Sequence, residues 1–240
     1  MNQPMEAIIY RGLEIRIFND PDAGNPRTEF ENVGTMVLLH RRYDLGDDNA
    51  RQLLTEHCHA KGSNVDEYSP PLMLEAAAAA HGVLFLPVYM YDHSGLTIST
   101  KPFSCPWDSG QLGIIYITPE KIAEEWPVPL PEKGPPSPNL KEDVLATLKD
   151  EVEQYNDYIS GQCYGFEIRE VDESPVDLVP GPPLEDGAYM VEVSASDTSI
   201  DTCYGYYGAD HRKSGLLDQA EGFIDAKLRN DNQPKEGTDP

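Results

Sequence analysis

The segment YDHSGLTISTKPFSCPWDSGQLGIIYIT, residues 91–118, brings His93, Cys105 and two aspartates, Asp92 and Asp108, into one short interval. A cysteine nucleophile needs a base within hydrogen-bond reach and surroundings that favour its thiolate. His93 could be that base for Cys105, with Asp92 or Asp108 orienting the imidazole. Asp92, His93, Asp108 and His40 would also suit hydrolytic chemistry or a divalent cation. No ligand spacing such as HExxH accompanies them, so neither a metal nor another cofactor is expected. Thiol catalysis has a further obstacle: Pro106 follows Cys105, and no helix begins there to supply a dipole or oxyanion donors. The competing reading is architectural. Asp108 and Ser109 would close side-chain-to-backbone turns, Gly110 would take a positive φ and Trp107 would plug the core. The sequence favours that architecture, with a small hydrolase or thiol enzyme centred on His93, Cys105 and Asp108 as the alternative.

Two further clusters invite chemistry. In HRRYDLGD, a strand would place His40 and Arg42 on one face and Arg41 on the other. Arg41 and Arg42 could then hold a small anionic ligand bidentately, or pair with Asp44, Asp47 or Asp48. His57, Cys58 and His59 are adjacent. On a helix such neighbours diverge by roughly 100° per residue, so they are expected to be solvated rather than to share an ion.

The charge is lopsided. The 240 residues hold 42 acidic and 18 basic side chains, a net charge of −24. Such a field repels phosphate backbones, so direct binding of nucleic acid is not expected and a basic partner is better suited. Residues 141–201 alone contain 16 Asp or Glu against three Lys or Arg. Asp143, Asp150 and Asp157 recur at intervals of seven, on a helix face separate from its apolar stripe. Held on a packed scaffold, such carboxylates could imitate the phosphate spacing of DNA and occupy a basic cleft. The apolar runs are too short to cross a bilayer, and the first residues lack the pattern of a signal peptide. Four scattered cysteines without a CxxC pair fit free thiols in a reducing cytoplasm.

The elements that must position these residues form an α+β pattern, mainly an antiparallel sheet with a few packed helices. AIIYRGLEIRIF predicts two strands about Arg11-Gly12, GTMVLLHRRY a third and VLFLPVYMYD a central one. In the last of these, Pro87 marks a bulge or an edge. GLTIS and QLGIIYIT would flank it. Helices are expected over 49–60, 71–80 and 213–228, and after the Thr118-Pro119 cap. The strongest helix signal is LKEDVLATLKDEVEQYNDYISG, with a stripe of Leu145, Leu148, Val152, Tyr155 and Ile159 ended by Gly161. CYGFEIREV and AYMVEVSA predict later strands. The Cys-Tyr-Gly triplets at 163–165 and 203–205 suggest a ring lying over bare glycine backbone on neighbouring strands. Neither GxGxxG nor GxxxxGK[ST] occurs, so a nucleotide-binding fold lacks motif support. Six prolines in the 14 residues of PVPLPEKGPPSPNL predict a stiff linker. The expected organisation is an α+β part over 1–127, a linker over 128–140, an acidic part over 141–228 on the same sheet, and a disordered tail over 229–240.

Taken together, NVGTMVLLHRRYDLGD, YDHSGLTIST, FSCPWDSGQLGIIYIT, EVEQYNDYISGQCYGFEI and CYGYYG resemble a family of acidic proteins encoded by bacteriophages and other mobile elements. The Cys-Pro-Trp-Asp-Ser-Gly run is the most specific block. The resemblance carries over no catalytic role. It implies expression in a bacterial host, hence a cytoplasmic location there, and an accessory part in phage or plasmid biology. Joined to the charge, it suggests a protein that binds a basic surface of a host protein, as a DNA mimic or an inhibitor of defence would.

Overall fold

The computed structural model describes residues 3–47, 52, 54–56, 59, 62, 83–93, 95–126, 137–171 and 199–231. Its architecture is α+β, with two four-stranded antiparallel sheets. The chain divides into two compact units, Met1–Ala23 with Cys163–Pro240, and Gly24–Gln162. These boundaries differ from those expected at the proline-rich segment. Two sheets form where one was expected, and the long acidic helix belongs with the central unit rather than with the strands that follow it.

In the unit built from the two ends of the chain, Arg11 and Gly12 adopt φ of 48° and 84°. Two successive positive φ values make a tight hairpin turn whose twist matches that of its strands. Glu6–Tyr10 (β1) therefore pairs directly with Leu13–Asn19 (β2). Leu13, Ile15 and Ile17 alternate along β2 and are buried on one face. Cys163–Glu170 (β7) pairs with β2, and Ser199–Tyr207 (β8) pairs with β7. On the opposite pleat the register sets Glu14 beside Arg169 and Arg16 beside Glu167. Leu216–Asp231 (α4) buries Leu216, Leu217, Ala220 and Ile224 among Ile15, Ile17, Phe166 and Ile168. Each of the buried Leu, Ile and Phe side chains contributes about 1.5–3 kcal/mol. Gly165 faces Tyr204, whose ring would lie 2.1 Å from a Cβ at that position. The ring over bare backbone expected from the triplets is thus present.

The central unit contains Pro26–Glu29 (α1), Thr35–Leu38 (β3), Leu84–Asp92 (β4), Leu96–Ser99 (β5), Ser109–Ile117 (β6), Pro119–Glu125 (α2) and Pro138–Ile159 (α3). The strand order is β3-β6-β4-β5. Pro87 lies before the point where β5 begins to pair, beside a register shift at Val88/Tyr89, so its missing N–H costs no ladder bond on that side. Thr118 caps α2, its hydroxyl accepting from the N–H of Lys121 at 3.3 Å. Ser137 caps α3, which starts inside the expected linker because Pro138 suits the first helical position. Gly161, at φ 71°, ends it: its N–H donates to Tyr158 O while Gln162 N–H donates to Asp157 O. The buried stripe is Leu140, Val144, Leu148, Val152 and Tyr155, with Leu145 and Ile159 only partly covered. It begins one turn earlier than the sequence pattern suggests.

Several expectations lie outside the described residues. These are the alanine-rich helix at 71–80, the strand AYMVEVSA, most of the proline-rich segment and the tail beyond 231. Gln52, 54–56 and His59 are helical, with Leu54 buried, as expected for 49–60. DTCYGYY, whose Cys-Tyr-Gly triplet suggests a strand, is most of β8.

Candidate functional site

β5 and β6 do not pair with each other; both pair with β4, from opposite sides. The connection 100–108 must therefore pass over the end of β4, where His93 sits. The N–H of Asp92 donates to Asp108 O at 2.9 Å and fastens this crossing. Asp108 Oδ2 then lies 3.4 Å from His93 Nδ1 and accepts from Cys105 Sγ at 3.8 Å. The Ser109 hydroxyl donates to the carbonyl of Cys105. Tyr91 stacks against His93 on one side and Phe103 on the other, at centroid distances of 5.9 and 5.7 Å. Three residues singled out in the sequence, His93, Cys105 and Asp108, do come together.

Their geometry does not make a catalytic dyad. The carboxylate, rather than the imidazole, faces the thiol, so a proton leaving Cys105 meets Asp108 first. The cluster is also open to water, with side-chain exposures of 63% at His93 and 41% at Asp108. The carboxylate beside His93 is that of Asp108; Asp92 Oδ2 accepts from Arg42 Nη2 at 2.8 Å. Two architectural details are corrected as well. Trp107 does not plug the core but is 91% exposed, and Gly110 lies in β6 opposite Met90 without a positive φ. Trp107 and both of its chain neighbours, Pro106 and Asp108, are exposed, while Cys105 and Ser109 are partly covered.

The arginine pair also behaves differently from its strand reading. β3 ends at Leu38, so His40, Arg41 and Arg42 lie in the following loop. His40 Nδ1 accepts from the N–H groups of Arg42 and Tyr43 and its ring stacks on Tyr43 at 4.8 Å. Arg42 is spent on Asp92 and on the face of Tyr43. Arg41 is exposed and pairs with no carboxylate among the described residues, but one guanidinium does not make a bidentate anion site with a partner that is already engaged.

The ionic centre of this unit went unread in the sequence. Arg27, in NPRTEFEN, has a side chain only 1% exposed. Its Nε and Nη2 bond Asp47 at 2.6 and 2.7 Å, and Nη1 bonds Glu151 at 2.7 Å and Asn32 at 2.8 Å. Nη2 also donates to Gly34 O at 2.7 Å. Glu151 accepts from the N–H groups of Val33 and Gly34, and Asp47 from that of Met36. Burial opposes the charge on Arg27, but the two carboxylates outweigh it and hold the guanidinium's proton more tightly than usual. Gly46, at φ 83°, lets the loop press against β3, where a Cβ would meet Met36 O at 2.6 Å. Its N–H also donates to the Tyr155 hydroxyl at 3.2 Å. The effect is to lock α3 to the sheet. Asp47 and Glu151 lie 20 and 124 residues from Arg27, and no local pattern joins them.

With Glu151 turned inward, the outer side of α3 carries Glu142, Asp143, Asp150 and Glu153 exposed and Asp157 half-buried. Lys149 pairs with Glu153 at 2.7 Å; the helix holds six acidic side chains against two lysines. Of the wider acidic stretch, residues 172–198 lie outside the described set, and Glu167, Glu170 and Asp201 belong to the other unit. Among the described residues, no group of three or more His, Cys, Asp or Glu is placed to hold a metal ion, and no helix is long and apolar enough to cross a membrane. Cys105, Cys163 and Cys203 are free thiols.

The chain matches no protein-family model, no curated protein and no solved structure.

Proposed function

We propose that this protein acts by binding, presenting the acidic outer side of α3 to a basic surface of another protein. The carrying observation is the way that side is held. A buried stripe from Leu140 to Tyr155 and the Arg27–Glu151 bond fix the helix, so the exposed carboxylates keep their spacing. Like charges on a loose segment would move apart; on an anchored helix they act together. The resemblance noted in the sequence, read with this charge, supports a partner in a bacterial host, where a DNA-processing or defence enzyme would offer the required basic cleft. The same charge argues against nucleic acid as the ligand.

The test is capture from bacterial lysate by the wild-type protein and by the triple variant Asp143→Asn/Asp150→Asn/Asp157→Asn, at low and at moderate salt. The expected result is a basic protein retained by the wild type, weakened by salt and released by the variant. Equal capture by both proteins, or no basic partner at either salt, contradicts the reading. An enzyme centred on His93, Cys105 and Asp108 has less support, since its thiol and imidazole share a carboxylate in open solvent.

A further inference from the structure

Trp107 is the most exposed large apolar side chain described, at 91%, yet the loop that carries it is not loose. Its backbone on either side is tied down: the carbonyl of Cys105 accepts from the Ser109 hydroxyl, and that of Asp108 from the N–H of Asp92. Through Asp92 the loop is linked to Arg42, whose guanidinium lies over the Tyr43 ring. An indole held out by a turn with a bonded backbone has the character of an interface anchor, a role in which tryptophan is enriched. A large ring in water gains nothing for the fold, while its conformational cost of binding is already reduced by the tied loop.

We infer that Trp107 anchors the partner, receiving a lysine or arginine of a basic protein segment over its indole face while Asp108, next along the chain, faces the same cation. This rests on the reading of a basic partner given above and names its point of attachment. Charge selects the occupant. At a net charge of −24, a second copy of this chain and a phosphate backbone are both repelled, whereas a cationic side chain is drawn to the field and to the ring's negative face.

The test is a tryptophan-fluorescence and calorimetric titration with a hepta-arginine peptide at physiological salt, using wild type, Trp107→Leu and Trp107→Phe. Trp126 is retained in all three. The expected result is quenching of Trp107 with binding weakened roughly five- to thirty-fold in Trp107→Leu and less in Trp107→Phe, as loss of one cation–π contact implies. Unchanged affinity in Trp107→Leu overturns the anchor but leaves the acidic helix as the binding side. Failure of the wild type to bind the peptide overturns both. A single-stranded oligothymidine that quenches Trp107 where the peptide does not would overturn the choice of a basic protein as occupant.

Discussion

The clusters around Arg27 and around Asp108 are built from similar parts, a basic side chain beside carboxylates, and they do opposite work. Arg27 is 1% exposed and satisfied by Asp47, Glu151, Asn32 and the Gly34 carbonyl. His93 and Asp108 are 63% and 41% exposed, and their one contact is at 3.4 Å. In the first, water is excluded and every bond must be kept because its loss strands a charge. In the second, water can replace either partner at little cost. Burial, rather than residue type, separates a clamp from a surface. The charged groups that look most reactive in the sequence are the ones the fold can spare.

This contrast can be broken first at Arg27. Arg27→Met leaves Asp47 and Glu151 without their cation and is expected to cost roughly 3–5 kcal/mol of unfolding free energy, measured by urea denaturation. A loss below about 1 kcal/mol would mean the clamp is dispensable. Leu148→Ala, at a fully buried position of the α3 stripe, should cost about 2–5 kcal/mol in the same measurement, without altering surface charge. Asp108→Asn belongs to the other side of the comparison. It should shift stability by less than about 1 kcal/mol, since the pair it breaks is exposed. A shift as large as that of Arg27→Met would make the loop structural and remove the distinction.

The smallest effect is expected at an exposed ion cluster in the other unit. Arg212 holds Glu221 and, at 2.9 Å, Asp218, and its hydrogen bonds keep the Glu221 carboxyl below the usual carboxylate range. A depressed folded value contributes stability above the ordinary carboxylate pKa, and that contribution is lost as pH falls through the folded value. Glu221→Gln should therefore melt slightly below the wild type at neutral pH and converge with it in acid. A gap that widens in acid would give the wrong sign.

Much of the architecture was legible because it follows local rules. The Arg11-Gly12 hairpin, the Thr118-Pro119 cap, the Gly161 stop and the Gly165–Tyr204 approach each depend on a few adjacent residues or one strand pairing. The candidate site was legible only as a list of residues. That β4 would lie between β5 and β6, carrying the loop over His93, is a matter of strand order, which alternation does not encode. Arg42 was read with the nearby Asp44, Asp47 or Asp48 but pairs with Asp92, 50 residues away, while Asp47 pairs with Arg27. Trp107 was placed in the core because large rings usually go there; nothing in CPWDSG indicates that the turn points outward. The division into units is not legible because the proline-rich segment is the most conspicuous break, whereas the unit boundaries fall at Ala23/Gly24, in a polar turn-rich loop, and at Gln162/Cys163, just past the Gly161 stop, which look like ordinary connections.

Everything proposed here requires α3 to be a rigid carrier of charge. Native-state hydrogen exchange of its backbone amides tests that requirement most directly. The account predicts that the amides around Val144, Leu148 and Val152 exchange only through near-global unfolding, among the slowest in the chain. Exchange of those amides at rates typical of unfolded peptide, with the sheet still protected, would contradict it.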